Sequence, residues 1–223
     1  MKKKTLLSWS SGKDSAWTLY TLQQDPNIEL AGLFCTVNRR HDRVAMHGVR
    51  VELLQQQAAC AGLPLHILEI PDPCSNDAYE AVMKAFVEQC HADAIECFAF
   101  GDLYLQDIRD YRIDKLRDTG IEALFPIWGL PTRQLAQEMI DSGLKAVLTC
   151  VDSQQIPASF AGHPFDHQLL DTLPASADPC GEQGEFHSFV FDGPMFDRPI
   201  AIEVGDILHR DRFVFADVTH GPQ

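Results

Sequence analysis

The chain has 223 residues, a formal net charge of −14 at pH 7 and an ordinary apolar share of 45%. A chain of this length can bury roughly 70% of its unfolded surface, so it needs no disulfide or metal ion in order to fold. The acidic balance argues against a broad nucleic-acid surface, which is usually basic. No apolar run approaches the ~20 residues that a membrane-spanning helix needs. The seven cysteines form no CxxC pair, which favours reduced thiols in a cytoplasmic protein.

Strand-like and helix-like patterns alternate along the first 125 residues. Short apolar runs predict strands at 4–9, 28–37, 63–70 and 94–100. Amphipathic or polar patterns between and after them predict helices at 14–25, 47–62, 75–92 and 101–120. This alternation with short connections predicts a parallel, doubly wound α/β sheet with right-handed crossovers.

The pattern changes after residue 125, where FPIWGLPT (125–132) is rich in proline and glycine. A predicted helix (132–142) and a predicted strand (144–151) follow it. Two later segments, EFHSFVFDGPMF (185–196) and RFVFADV (212–218), also predict strands. We therefore expect two domains, a sheet domain at 1–125 and a smaller α+β domain at 126–223.

Small or polar residues (10–15, SSGKDS) separate the first predicted strand from the first helix. Ligands of an open α/β sheet bind at this kind of junction, and the N–H groups at a helix start favour an anion. Gly12 allows a close backbone approach, and Lys13 supplies a cation. Asp14 would repel phosphate unless Mg²⁺ lies between them. A simple N-cap is the alternative, but it needs one Ser or Asp rather than this whole run.

Three other polar positions lie near strand ends or helix starts. Gly101 and Asp102 follow the fourth strand, in FGDLYLQDIRDYR (100–112), and we expect them at the ligand-binding edge. His47 precedes the second helix and could contact phosphate or cap the helix. The charged segment RRHDR (39–43) could be a lid or an exposed loop.

The second conspicuous motif is CGEQGEFHSFVFDGPMF (180–196), in which two glycines bracket Glu182. Glu185 and His187 are two residues apart at the start of a strand, so they are predicted on one face. A carboxylate and an imidazole together can orient ammonia or accept a proton. The alternative is a glycine-rich turn that leads into a strand. Cys180 is a weaker candidate nucleophile, because nothing in the sequence indicates a lowered pKa.

These two motifs carry a family resemblance. The segment SSGKDS (10–15) resembles the pyrophosphate loop of the PP-loop ATP pyrophosphatases, Ser-Gly-Gly-x-Asp-Ser/Thr, with Ser11 in place of the first glycine. With the 180–196 motif, and with FGDLYLQDIRDYR, FPIWG and ASFAG between them, nearly the whole chain resembles the diphthine–ammonia ligase family of these enzymes. His187-Ser188, where other branches typically carry Glu-Thr, is similar to the bacterial branch.

The resemblance implies a Rossmann-like (HUP-type) fold and an AMP-forming ligation. In that reaction ATP adenylates a carboxylate acceptor, pyrophosphate leaves, and ammonia displaces AMP to form an amide. Residues 1–125 would bind ATP and Mg²⁺, and residues 126–223 would bind the acceptor, a small molecule or a protein side chain. A homodimer is compatible with the sequence.

The resemblance also implies roles for individual residues. The phosphates of the nucleotide would contact Ser10, Ser11, Gly12, Lys13 and Ser15. His47 and Gly101 are further candidates for nucleotide contact because of their positions at a helix start and a strand end. The adenine would lie against Cys35, Thr36 and Val37, at the end of the second strand. Mg²⁺ would bind Asp14 and Asp102. The catalytic groups would be Lys13, Asp14, Glu182, Glu185 and His187, with the last three positioning the acceptor or ammonia.

Two other functions remain open from the sequence. Other PP-loop enzymes thiolate tRNA, but they usually have paired catalytic cysteines and a basic RNA surface, and this chain shows neither. A sensor could bind an adenine nucleotide without turning it over, although the carboxylates of the 180–196 motif are not needed for binding alone. Release of AMP separates the ligase from the sensor.

Overall fold

The computed structural model describes residues 1–38, 43–44 and 48–222, with the backbone alone described at 43–44. His47 and most of the charged segment 39–43 lie outside these residues. Within the described ranges, no helix combines the length and the apolar character needed to cross a membrane.

The first part of the chain forms a parallel sheet with helices packed on both faces. Its strands are β1 (Lys3–Ser8), β2 (Ile28–Asn38), β3 (Arg43–Val44), β4 (Leu65–Ile70), β5 (Cys97–Ala99) and β6 (Glu122–Leu124). The parallel strands have the order β4-β2-β1-β5-β6, and short β3 pairs antiparallel with the end of β2. The connections at β1 run to opposite sides of the sheet, so the carboxyl end of β1 is the point where ligands of such sheets bind.

The helices of this part are α1 (Lys13–Gln24), α2 (Val51–Ala61), α3 (Asn76–Ala92) and α4 (Gln106–Leu116). Gly62 follows α2 in the left-handed conformation (φ 66°), as the predicted helix stop requires. The Ser75 hydroxyl accepts a hydrogen bond from the Ala78 N–H, as predicted for the cap of α3. Alternate residues of β1 face opposite ways: Leu7 packs with α1 and α2, and Leu6 packs with the α3–α4 side.

The second part of the chain forms a smaller, antiparallel sheet. Its strands, in the order β8-β7-β10-β9, are β7 (Lys145–Asp152), β8 (Phe186–Asp192), β9 (Ile202–Arg210) and β10 (Phe213–His220). They are accompanied by α5 (Thr132–Asp141), a 3₁₀ turn (Ala158–Phe160) and α6 (His167–Thr172). The predicted fold class, a Rossmann-like α/β sheet with a smaller α+β part, is confirmed.

One hydrophobic core joins the α1–α2 side of the first sheet to the second sheet. Strand β8 lies directly against the segment between β1 and α1. The Val190 N–H donates to the Ser11 carbonyl over 3.1 Å, and the Lys13 N–H donates to the Ser188 hydroxyl over 3.1 Å. The second sheet therefore supports the segment that the sequence predicts to bind an anion.

Candidate active site

The segment Trp9–Gly12, which we call the anion loop, turns sharply between β1 and α1. Ser11 has φ 70° and is fully buried. The Ser10 and Ser15 hydroxyls are 3.1 Å apart, and the Ser15 hydroxyl donates to the Gly12 carbonyl over 2.9 Å. The Lys13 N–H of this helix start already donates to Ser188, and the rest of the helix start with these two hydroxyls forms a cradle suited to a phosphate group.

Ser11 carries two local costs in this loop. Its φ lies in the left-handed region, which costs a non-glycine residue about 1–2 kcal/mol. Its hydroxyl oxygen is buried and has no hydrogen-bond partner among the described residues. Because the Ser11 hydroxyl is out of reach of solvent, we expect Ser11 to contribute to phosphate binding through its backbone alone.

Replacing Ser11 with glycine should therefore stabilise the protein. We expect Ser11→Gly to raise the free energy of unfolding by about 1 kcal/mol, measured by urea denaturation, with unchanged affinity for ATP. Ser10→Gly is the matched control, because Ser10 has no positive φ, and it should give no such gain. A Ser11→Gly protein that binds ATP markedly more weakly would show that the Ser11 hydroxyl contacts the nucleotide.

The Lys13 side chain points into the protein rather than toward solvent. Its ammonium pairs with the Asp14 carboxylate at 2.8 Å and donates to the Cys180 carbonyl. It also lies 5.3 Å from the centre of the Phe186 ring. Burial lowers the pKa of Lys13, but the charge and hydrogen bond of Asp14 together with the neighbouring Cys180 and Glu182 outweigh it, so the pKa is raised and the ammonium stays charged. Lys13 thus joins α1 to the 180–196 motif, and its predicted contact with phosphate stays a prediction.

The two carboxylates predicted to hold Mg²⁺ are both engaged with cations. Asp14 pairs with Lys13, and both oxygens of Asp102 accept from Arg112, over 2.5 and 3.1 Å. Among the described residues, no group of three His, Cys, Asp or Glu side chains could hold a metal ion. The residues present therefore do not fit a magnesium site built by the protein alone.

Glu182 links the 180–196 motif to the loop after β5. Its Oε1 accepts hydrogen bonds from the backbone N–H groups of Leu103 (2.8 Å) and Tyr104 (3.4 Å). Gly101 begins the same loop and packs on the first turn of α1, since a Cβ there would lie 3.0 Å from the Asp14 carbonyl group. Burial raises the pKa of Glu182 to about 7, although the two N–H groups oppose the shift. Glu182 is thus a carboxylate that can exchange a proton near neutral pH.

Glu185 has a different environment from Glu182. It is fully buried, and its two oxygens accept from the N–H groups of Asp178 (2.7 Å) and Gln183 (2.9 Å). The Asp178 carboxylate in turn accepts from the Cys180 N–H over 2.7 Å. Because both of its oxygens hold backbone groups of its own loop, the geometry supports a positioning role for Glu185 rather than a direct contact with the acceptor.

A cavity of about 920 Å³ opens at the carboxyl ends of β1, β2 and β5, between α3 and α4. Ser10, Cys35, Thr36 and His187 line it. Val37 is buried in the core nearby. The volume lies within the range of small-molecule sites, so the cavity can take the base and ribose of a nucleotide. Burial lowers the pKa of His187 to about 4, so its imidazole is neutral at physiological pH.

Family models match almost the whole chain. The diphthamide synthase N-terminal domain matches residues 2–123, and the diphthamide synthase C-terminal domain matches residues 131–220. The chain belongs to the diphthamide synthase family.

Proteins named diphthine–ammonia ligase share limited identity with the chain. The Bos taurus protein is 24% identical over 153 residues, which are 66% of this chain and 57% of that protein. The Danio rerio protein is 27% identical over 168 residues, 67% of this chain and 61% of that protein. The Homo sapiens protein is 20% identical over 186 residues, 81% of this chain and 69% of that protein. The chain therefore spans about three fifths of the length of the first two relatives.

In this member of the diphthamide synthase family, a buried glutamine that was not predicted from the sequence fixes the anion loop by hydrogen bonds. The Gln57 amide nitrogen donates to the carbonyls of Ser11 (3.0 Å) and Val190 (2.6 Å). Its amide oxygen accepts from the Trp9 indole over 2.9 Å. Gln57 belongs to a run of three glutamines on α2. Its helical spacing from Leu53, Leu54 and Ala58 places it on the buried face of α2, which the sequence could have indicated.

Proposed function

We propose that the chain is an AMP-forming ligase that converts a carboxylate into an amide. The observation that carries this proposal is that the two motifs are in contact. Lys13 donates to the Cys180 carbonyl, and Glu182 binds the loop that packs on the first turn of α1, directly after the anion loop. A phosphate cradle and a carboxylate with a pKa near 7 therefore belong to one site. The name of the relatives, diphthine–ammonia ligase, supports ammonia as the nitrogen source.

The first step is adenylation. The anion loop holds the phosphates of ATP, with the base in the 920 Å³ cavity beside Cys35 and Thr36. An oxygen of the acceptor carboxylate attacks the α-phosphorus, the bond to the β-phosphate oxygen breaks, and pyrophosphate leaves. The neutral imidazole of His187 can hydrogen-bond the nucleotide in this cavity without adding charge.

The second step is aminolysis. Ammonia attacks the acyl carbon of the adenylate, the carbon–oxygen bond to AMP breaks, and the amide forms. The attacking nitrogen must lose a proton, and Glu182 is the carboxylate near the anion loop whose pKa, about 7, suits it to accept that proton.

We expect Mg²⁺ to enter with ATP and to neutralise charge on the phosphates. Mg²⁺ commonly binds through substrate phosphates, waters and one or two carboxylates. Because Asp14 and Asp102 are already paired with Lys13 and Arg112, no step of the proposed mechanism depends on a metal ion held by them.

The cysteines of the site support thiolation of tRNA less well than amide ligation. Burial raises the pKa of Cys35 to about 12 and also raises the pKa of Cys180. A thiolation enzyme needs a thiolate nucleophile, and thiols with raised pKa values are poor ones. A nucleotide sensor remains the second candidate, because the 920 Å³ cavity could bind ATP without any turnover.

Incorporation of labelled nitrogen tests the proposal. The protein is incubated with ATP, ¹⁵N-ammonium and two separate acceptor pools, one of small carboxylic acids and one of cellular protein. We expect ¹⁵N-labelled amide in one pool, with AMP formed in equal amount, and no label with an ATP analogue that has a methylene group between the α- and β-phosphorus. ATP that binds without any AMP in either pool would favour a sensor, and transfer of labelled sulfur to tRNA would favour thiolation.

A further inference from the structure

Arg109, on α4, is held against two aromatic rings. Its guanidinium carbon lies 4.8 Å from the centre of the Trp128 ring and 5.3 Å from the centre of the Phe125 ring. Its Nε atom is buried and has no hydrogen-bond partner among the described residues. The rings fix the position of the guanidinium and shield one side of it from water.

Three acidic side chains of α4 and of the loop before it are engaged with other residues. Asp102 binds Arg112, Asp110 accepts from Gln106 over 2.7 Å, and Asp114 pairs with Arg117 at 2.8 Å. Within the part of the chain that the structure describes, no carboxylate pairs with Arg109. In a protein with 32 acidic and 18 basic side chains, a held arginine without an acidic partner indicates a cation kept for a ligand.

The position of Arg109 connects it with the candidate active site. Its helix follows the loop whose Leu103 and Tyr104 N–H groups bind Glu182. The Gly129 N–H donates to the Leu103 carbonyl over 2.7 Å, which ties the segment that carries Phe125 and Trp128 to the same loop. The backbone of Leu103 therefore connects Glu182 with the segment whose aromatic rings contact Arg109.

We propose that Arg109 binds the carboxylate of the acceptor, an inference that rests on the proposed function. The planar guanidinium can grip a carboxylate through two parallel hydrogen bonds. The phosphates of ATP already have the amides and hydroxyls of the anion loop, so the anion that remains to be bound is the acceptor. The adjacent rings offer apolar contact to the carbon chain next to the carboxylate.

The indole N–H signal of Trp128, one of the three tryptophans, reports on this site by ¹H–¹⁵N NMR. Acetate is the probe, titrated at constant ionic strength against chloride, and Trp128→Phe identifies the Trp128 signal. We expect a saturable shift of the Trp128 signal with acetate. Arg109→Gln should weaken acetate binding at least tenfold, because a charge-assisted pair is lost. Arg117→Gln, an exposed arginine directly after the same helix, is the matched control and should bind acetate as the unaltered protein does.

Inorganic phosphate is the second probe. We expect it to shift the signal of Trp9, which belongs to the anion loop, more strongly than that of Trp128. A Trp128 signal that does not respond to acetate, that still responds in Arg109→Gln, or that responds more strongly to phosphate would overturn the assignment. Arg109→Lys serves if the glutamine variant fails to fold, because it keeps the charge but loses the two-point grip.

This titration contains no ATP, so its outcome is separate from that of the labelling experiment. Amide formation without an acetate response would reject Arg109 as the carboxylate site and leave the proposed function in place. An acetate response without amide formation would reject the proposed function and leave the carboxylate site.

Discussion

Replacing Glu182 with glutamine should lower the rate of amide formation by about 10²–10⁴-fold, the usual contribution of a positioned base. The glutamine oxygen can still accept from the Leu103 and Tyr104 N–H groups, so the loop should keep its place. We therefore expect nearly unchanged affinity for ATP by calorimetry. Glu203→Gln removes an exposed carboxylate on β9 and is the matched control, with full activity expected. Full activity of Glu182→Gln would contradict the assignment of the base.

The pH dependence of the rate follows from the same carboxylate. Because burial raises the pKa of Glu182 to about 7, the group is protonated and inactive as a base below that pH. The rate should rise roughly tenfold per pH unit below about 7 and level off above it. Hydroxylamine is the suitable nucleophile for this profile, since it is already uncharged near neutral pH, whereas ammonium is not. The inflection should be absent from the Glu182→Gln profile, and a persisting inflection would assign it to a nearby group such as Asp14.

Replacing Lys13 with methionine should greatly lower the free energy of unfolding of the protein. The change leaves Asp14 and the Cys180 carbonyl without their buried partner, and breaking such a pair typically costs about 3–5 kcal/mol. Urea denaturation should show a much lower midpoint. Lys3→Met, which removes an exposed pair with Glu122, is the control and should leave the midpoint nearly unchanged.

A double variant separates the structural role of Lys13 from a contact with phosphate. Lys13→Met with Asp14→Asn leaves no unpaired charge, so it should regain part of the lost stability. If Lys13 instead contacts phosphate directly, the single variant would keep its stability and lose ATP binding. That result would contradict the role that the structure supports.

The elements with a clear pattern of buried positions could be predicted from the sequence. Strand β1 and helix α1 were expected within about one residue of their observed bounds, and Ser75 and Gly62 act as the predicted helix start and stop. The anion loop lies at the carboxyl end of β1, as expected for a segment that directly follows the first strand and precedes the first helix. These features depend on local chemistry, which the sequence displays directly.

Strand β9 could not be predicted, because residues 203–210 are all exposed and show no alternation of buried and exposed positions. It pairs with β10 through backbone groups, which side-chain patterns do not reveal. The short strand β6 and helix α6 were missed as well, since each is too brief to establish a period.

The pairing of site side chains depends on distant contacts. The sequence indicated Asp102 as a ligand-binding carboxylate. It gave no sign that Arg112, ten residues later on α4, donates hydrogen bonds to both oxygens of Asp102. In the same way, the two-residue spacing of Glu185 and His187 predicted a shared face, yet the turn before β8 directs the Glu185 carboxylate onto its own loop. Spacing predicts faces within an element and fails where a side chain belongs to a turn.

The bond at which ATP is cut tests the central claim most directly. Phosphorus NMR of a reaction that contains ATP, Mg²⁺, ammonium and the acceptor pool that takes up ¹⁵N distinguishes the products without any label on the nucleotide. We expect AMP and pyrophosphate, in equal amounts and in step with amide formation. ADP and orthophosphate would contradict it, because they would place the attack at the γ-phosphorus and exclude an acyl-adenylate.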